Sequence, residues 1–195
     1  MATTEPPEEN GSVEPEPTSA ALDRLMAAMP GDVVESEFQH GAPIVRIAPA
    51  RLLEVMTFLR DDPACRFELL SDLCGMDLSM TRPGGPRFDV VYHLYSVEHR
   101  HVLTVKTAVG DGDEAPSVTG IWLTANWHER EAYDMFGIGF GGHPDLRRIL
   151  MPDEFDAFPL RKDFPLEGRE KDHGYWRQPG DDDRYTYVAE PPEKK

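Results

Sequence analysis

Two alternating stretches joined by a few polar residues limit the fold more than anything else in the chain. FDVVYHLYS, beginning at Phe88, puts Phe88, Val90, Tyr92 and Leu94 on one side and Asp89, Val91, His93 and Tyr95 on the other. HVLTVKTAV, residues 101–109, puts Leu103, Val105 and Val109 on a shared face. A period of two is the pattern of a strand. Glu98-His99-Arg100 leaves room only for a tight hairpin between strands at 88–97 and 101–109.

Other segments read less sharply. From Ser19, Leu22, Leu25, Met26 and Met29 recur at helical spacing until Pro30-Gly31. Residues 32–39 and 43–48 read as strands around His40-Gly41. Residues 49–60 predict a helix with Pro49 in its first turn and a stripe of Leu52, Leu53, Met56 and Leu59. FELLSDLCGMDL, residues 67–78, fits a strand or a short helix. Residues 80–87 and 110–116 read as loops, and 118–123 as a last short strand. Asn126 suits an N-cap, with Glu129 three residues on to complete a capping box, and the helix runs over 127–136. Gly137 follows where a left-handed residue is wanted.

This divides the chain into a disordered acidic arm at 1–18, rich in Pro and Glu, a domain at 19–136, and a glycine turn with an extended tail at 137–195. Prolines keep interrupting the tail, yet it carries Phe155, Phe158, Leu160, Phe164, Leu166, Tyr175 and Trp176. So many large apolar groups belong on a surface, the domain's own or a partner's. A net charge of −16 argues against nucleic acid and bare anionic membrane as partners. Cys65 and Cys74 form no C-x-x-C, so an iron–sulfur cluster or structural zinc held by this chain alone is not expected. No apolar run approaches the ~20 residues of a membrane span, and the first residues resemble neither a signal nor a transit peptide.

GIGFGG contains G-x-G-x-x-G at Gly137, Gly139 and Gly142. A dinucleotide loop must follow a strand and open a helix. Here the glycines follow a helix and precede His143-Pro144, so a helix cap and close backbone approach explain them better. Glu129, Arg130, Glu131 and Asp134 crowd the preceding helix, and Arg147, Arg148, Arg161 and Lys162 follow it. Opposite charges on a helix and its trailing segment, flanked by Trp127, Met135 and Phe136, favour a partly buried ion-pair network over a solvated face. His143 lacks a second His or Cys at ligand spacing and reads as a hydrogen-bonding residue, while His99 and His101 read as a polar turn. No self-contained catalytic constellation is visible.

EREAYDMFGIGFGGHPDLRRIL, from Glu129 to Leu150, resembles the signature of the C subunit of proton-pumping NADH:quinone oxidoreductase, respiratory complex I. PLRKDFPLEG, FDVVYHLYS and IWLTANWHERE are also similar to family stretches, and the likeness covers roughly residues 20–170. The resemblance implies an α+β fold: a mainly antiparallel sheet with helices packed on it, plus an extended C-terminal tail. It implies a cofactor-free subunit of the hydrophilic arm beside the large quinone-site subunit and the cluster-bearing subunits. Iron–sulfur clusters and FMN belong on those partners, and membrane contact comes only through the complex, on the cytoplasmic side of a bacterial inner membrane. By the match, Glu129, Arg130, Glu131, Asp134, Gly137, His143, Arg147 and Arg148 occupy one set of signature positions, and Arg161, Lys162 and Asp163 another. Their implied role is to lock helix, glycine turn and tail into a docking shape, with no catalytic, cofactor or metal residue among them. The alternatives are the equivalent subunit of a related energy-converting hydrogenase or dehydrogenase complex, and a stand-alone acidic hydrolase using His143 and nearby carboxylates. A third is an acidic domain with a disordered tail.

Overall fold

A computed structural model describes residues 19–166, 168 and 169. The acidic arm expected over 1–18 and the end of the tail, with Tyr175 and Trp176, lie outside the described residues. The elements in chain order are α1 (Ala20–Ala28), β1 (Val33–Gln39), β2 (Ala42–Ile47), α2 (Leu52–Asp61), β3 (Leu69–Asp77), β4 (Phe88–Ser96), β5 (His101–Val109), β6 (Glu114–Pro116), α3 (Ala125–Phe136) and β7 (Gly139–Gly141). Five strands form one sheet in the order β1-β2-β5-β4-β3. All neighbours are antiparallel except β2 and β5. The chain crosses from β2 through α2 to the far edge at β3, then returns through β4 and β5 to close the centre. The fold is α+β.

The core follows from alternation. Val90, Tyr92 and Leu94 of β4 and Leu103 and Val105 of β5 meet Val45 and Ile47 of β2 in one buried cluster. Ala21, Leu22 and Leu25 of α1 and Leu52, Val55, Met56 and Leu59 of α2 cover them. Arg24 ties the two helices together through Asp62 at 2.8 Å. The opposite side of the sheet carries Arg46, Asp72, Cys74, His93, Thr104 and Lys106, with Asp72 beside His93 and His93 beside Thr104. α3 packs along β3. No helix among the described residues is long and apolar enough to cross a membrane.

Several local expectations differ from what forms. The ambiguous 67–78 segment is the edge strand β3, because β4 offers it a full antiparallel ladder. The helix expected over 49–60 opens as a 3₁₀ turn at Pro49–Arg51, and its stripe uses Val55 while Leu53 stays exposed. The strand expected at 118–123 is a pair of tight turns, with the Ile121 and Trp122 amides both donating to the Val118 carbonyl. β6 lies just before it, in residues read as a loop, and pairs in parallel with β7. That pairing explains the glycine motif. A Cβ on Gly139 would meet Glu114 Cγ at 2.7 Å, so any side chain there would have to push the exposed Glu114 side chain aside. The capping box does not form either. The N-cap of α3 is Thr124, without a side-chain cap bond, and the Glu129 carboxylate turns into the core.

Candidate functional site

α3 carries three buried charged residues, Glu129, Arg130 and Asp134. Ala125, Glu129 and Ala132 are buried with the core, at the spacing of one helix face. Arg130 and Asp134, four residues apart, bond instead to the segment that follows the helix. Asp134 Oδ2 accepts from the amides of Ile149, Leu150 and Met151 at 3.0, 2.7 and 2.8 Å, and Oδ1 pairs with Arg148 at 2.5 Å. Burial pushes this carboxyl up, but the three amides and Arg148 together hold it below the usual carboxylate range. Arg130 donates to the carbonyls of Arg147 and Arg148 and lies over the Trp127 ring. Arg148 donates also to the Ala157 carbonyl and faces Phe155 and Phe158.

The end of α3 is held in the same way. Gly137 adopts φ +73, and a Cβ there would meet Phe158 at 2.5 Å. Arg161 donates to the Phe136 carbonyl at 2.6 Å, pairs with Asp111, and sits between the Phe88 and Phe158 rings. The Leu160 amide donates to the Met135 carbonyl, and the Lys162 amide to Asp77. Asp77, buried at the end of β3, pairs with Arg87, which also holds Asp111 and Asp163. Burial raises the Asp77 carboxyl, but Arg87 and the amides of Lys162 and Ser79 outweigh it and keep the group ionised. Chain segments distant in sequence thus meet at a cluster of arginines and aspartates.

The remaining candidates divide. His143 accepts the Asp145 amide at Nδ1, which leaves the proton on Nε2, and Nε2 donates to the Asn126 carbonyl at 3.2 Å. It therefore anchors the glycine turn to the start of α3. Arg147 is 68% exposed and, among the described residues, pairs with Asp145 two positions before it. The side chains of Glu131 and Lys162 are exposed and take no part in these bonds. Asp77, Arg87 and Asp111 were not singled out by sequence reasoning. The signal present was an aspartate closing an apolar strand, on the inward phase set by Leu73 and Gly75.

Glu129 differs from its neighbours. Its Oε1 accepts the Val118 amide at 2.7 Å, tying α3 to the turns before it. Among the described residues, Glu129 Oε2 and the Tyr92 hydroxyl are the buried side-chain polar atoms without a hydrogen-bond partner. Burial pushes the Glu129 carboxyl up to about 7, and it raises the Tyr92 hydroxyl strongly, helped by the charge of Glu129.

Around this network large apolar side chains face outward. Leu123, Trp127, Leu150 and Leu160 are all more than half exposed. Residues 45–170, which contain every bond of the network, match the family model of the respiratory-chain NADH dehydrogenase 30 kDa subunit. The chain belongs to that family. Within the 30 kDa subunit family it is 52% identical over 139 residues to the second C subunit of the NADH-quinone oxidoreductase of Rhizobium etli, covering 71% of this chain and 73% of that one. It is 44% identical over 169 residues to the C subunit of the NADH-quinone oxidoreductase of Paramagnetospirillum magneticum, covering 86% and 80%. Among solved structures, the trypsin-resistant fragment of Nqo5 superimposes with a TM-score of 0.57 at 34% identity, covering 65% of this chain and 99% of the fragment. A chain of an archaeal membrane-bound sulfane sulfur reductase shares the fold, with a TM-score of 0.62 at 21% identity, covering 86% and 96%.

Proposed function

We propose that this chain is a cofactor-free assembly subunit of the hydrophilic arm of an NADH:quinone oxidoreductase. It docks beside the large quinone-site subunit and the cluster-bearing subunits, and electrons pass from NADH to quinone on those chains, through their FMN and iron–sulfur clusters, coupled to proton translocation. It is held peripherally at the cytoplasmic side of a bacterial inner membrane by its partners. The names of its relatives support the complex. The observation that carries the docking role is the inward direction of the signature charges: Asp134, Arg148 and Arg161 spend their bonding on backbone of the trailing segment and of α3. Such bonds set a shape and leave Trp127, Leu150 and Leu160 outside as contact surface.

Affinity purification of the full chain from native membranes, with mass spectrometry of the co-purifying proteins, tests this reading. Quinone-site and cluster-bearing chains are expected at equal stoichiometry. Recovery of the chain alone, or oxidation of a nicotinamide by the isolated chain, defeats it. The fold shared with the archaeal complex favours a second reading, the equivalent subunit of another energy-converting assembly. The identity of the co-purifying electron-input chains separates the two.

A further inference from the structure

Three donors of different chemistry converge on the uncovered side of the sheet, away from the network just described. Asp72 and Cys74 stand two residues apart on β3 and so point the same way. His93 of β4 is the register partner of Asp72. A carboxylate oxygen, the thiol sulfur and a ring nitrogen from these residues all lie within 4.8 Å of one another. His128 Nδ1 of α3 is 3.4 Å from Asp72 Oδ1 but stands outside this triad. The Asp72 carboxylate is about half exposed and a cavity of about 230 Å³ opens beside Cys74, so an ion has a path in from solvent.

We propose that Asp72, Cys74 and His93 form a site for one divalent transition ion of the zinc type. An O, S, N set supplies three positions of a tetrahedral site and leaves the fourth to water. Metal–ligand distances near 2.0–2.3 Å imply donor separations of roughly 3.3–3.8 Å, so the present spacing closes by side-chain movements of about 1 Å. Thiolate and imidazole disfavour magnesium and calcium, which take oxygen. The outer contact that orients a ligating histidine is already in place: Thr104 Oγ1 lies 3.1 Å from His93 Nδ1 and leaves Nε2 for the ion. On binding, the Cys74 thiol gives its proton to solvent and the sulfur bonds the metal. The ion would then clamp the edge strand β3 to β4. Sequence spacing could not reveal the site, because its ligands come from two strands brought together by the sheet. It goes beyond the assembly role and depends on none of it.

The test uses the reduced, metal-free, untagged full chain. Calorimetric titration with zinc is expected to give one-to-one binding that millimolar magnesium does not weaken. Cobalt in place of zinc is expected to produce a thiolate-to-cobalt charge-transfer band. Cys74→Ser removes that band, His93→Gln weakens zinc binding by tenfold or more, and Thr104→Val weakens it by roughly tenfold, each with an unchanged circular dichroism spectrum without metal. The absence of one-to-one zinc binding overturns the proposal. So does a charge-transfer band that survives in Cys74→Ser, which would assign the sulfur to Cys65.

Discussion

The sheet with its two covering helices and the segment trailing α3 are held by different forces. The sheet is closed by apolar burial: Tyr92, Leu94, Leu103, Leu52 and Leu59 have essentially no exposed surface. Among the described residues, the trailing segment has no ladder of its own past β7. It is held by side chains that bond backbone, chiefly Asp134 to three successive amides and Arg161 to the last turn of α3. Burial of apolar area is non-directional and tolerates small shifts. A carboxylate accepting three amides holds one backbone path and no other. The first kind of packing makes a stable body. The second gives a fixed outline to a piece of chain too irregular to hold itself, which is what a docking surface needs.

The strongest way to break this contrast is Asp134→Ala. It leaves Arg148 buried without its partner and frees three amides, at an expected cost of about 3–5 kcal/mol. Hydrogen exchange should show lost protection at Ile149, Leu150 and Met151 while β4 and β5 keep theirs. Equal loss in both regions would mean that the two form a single cooperative unit.

Glu129→Gln sharpens the contrast from the side of the sheet. The folded carboxyl titrates near 7, above its value in the unfolded chain, so the native state binds the proton more tightly. Stability from this group is complete below the unfolded value near 4.5 and falls as pH rises through about 7. The glutamine variant should therefore exceed the parent by on the order of 3 kcal/mol at pH 8. By pH 5 that advantage should have largely closed. Urea midpoints at the two pH values measure it, and an advantage that does not depend on pH would refute the assignment.

Smaller effects are expected at the joint between the regions. Gly137→Ala must hold a left-handed conformation and meet the Phe158 ring, costing about 1–3 kcal/mol. A thermal melt is sufficient to read it. Arg147→Ala is expected to change stability by less than about 0.5 kcal/mol, because its side chain faces solvent. In the assembly reading the same change weakens co-purification with the partner chains. Adjacent arginines thus separate the two roles: Arg148 holds the shape and Arg147 is offered outward.

Much of the sheet was legible in the chain. β5 forms over the very residues whose alternation predicted it, and β1, β2, β4 and the left-handed Gly137 lie close to their expected places. The shorter pieces were not. β6 has three residues, too few for periodicity, and exists because β7 lies next to it. Glu129 had the spacing of a capping box, yet burial beside Val118 was available and took its carboxylate. In the candidate site the residue types were readable but not the pairings. Asp134 reaches amides 15 to 17 residues away, and Arg87 gathers Asp77, Asp111 and Asp163 from segments far apart in the chain.

By itself the amino-acid order determined which segments bury one face, where the last helix stops and which charges crowd around that stop, since each depends on neighbours a few residues apart. Only the tertiary structure decided which charge meets which backbone group, why Gly139 faces Glu114 of β6, and that Asp72, Cys74 and His93 share a corner of the sheet. Those outcomes depend on distances between segments far apart in the chain, and local spacing carries no information about such distances until the sheet and α3 have closed.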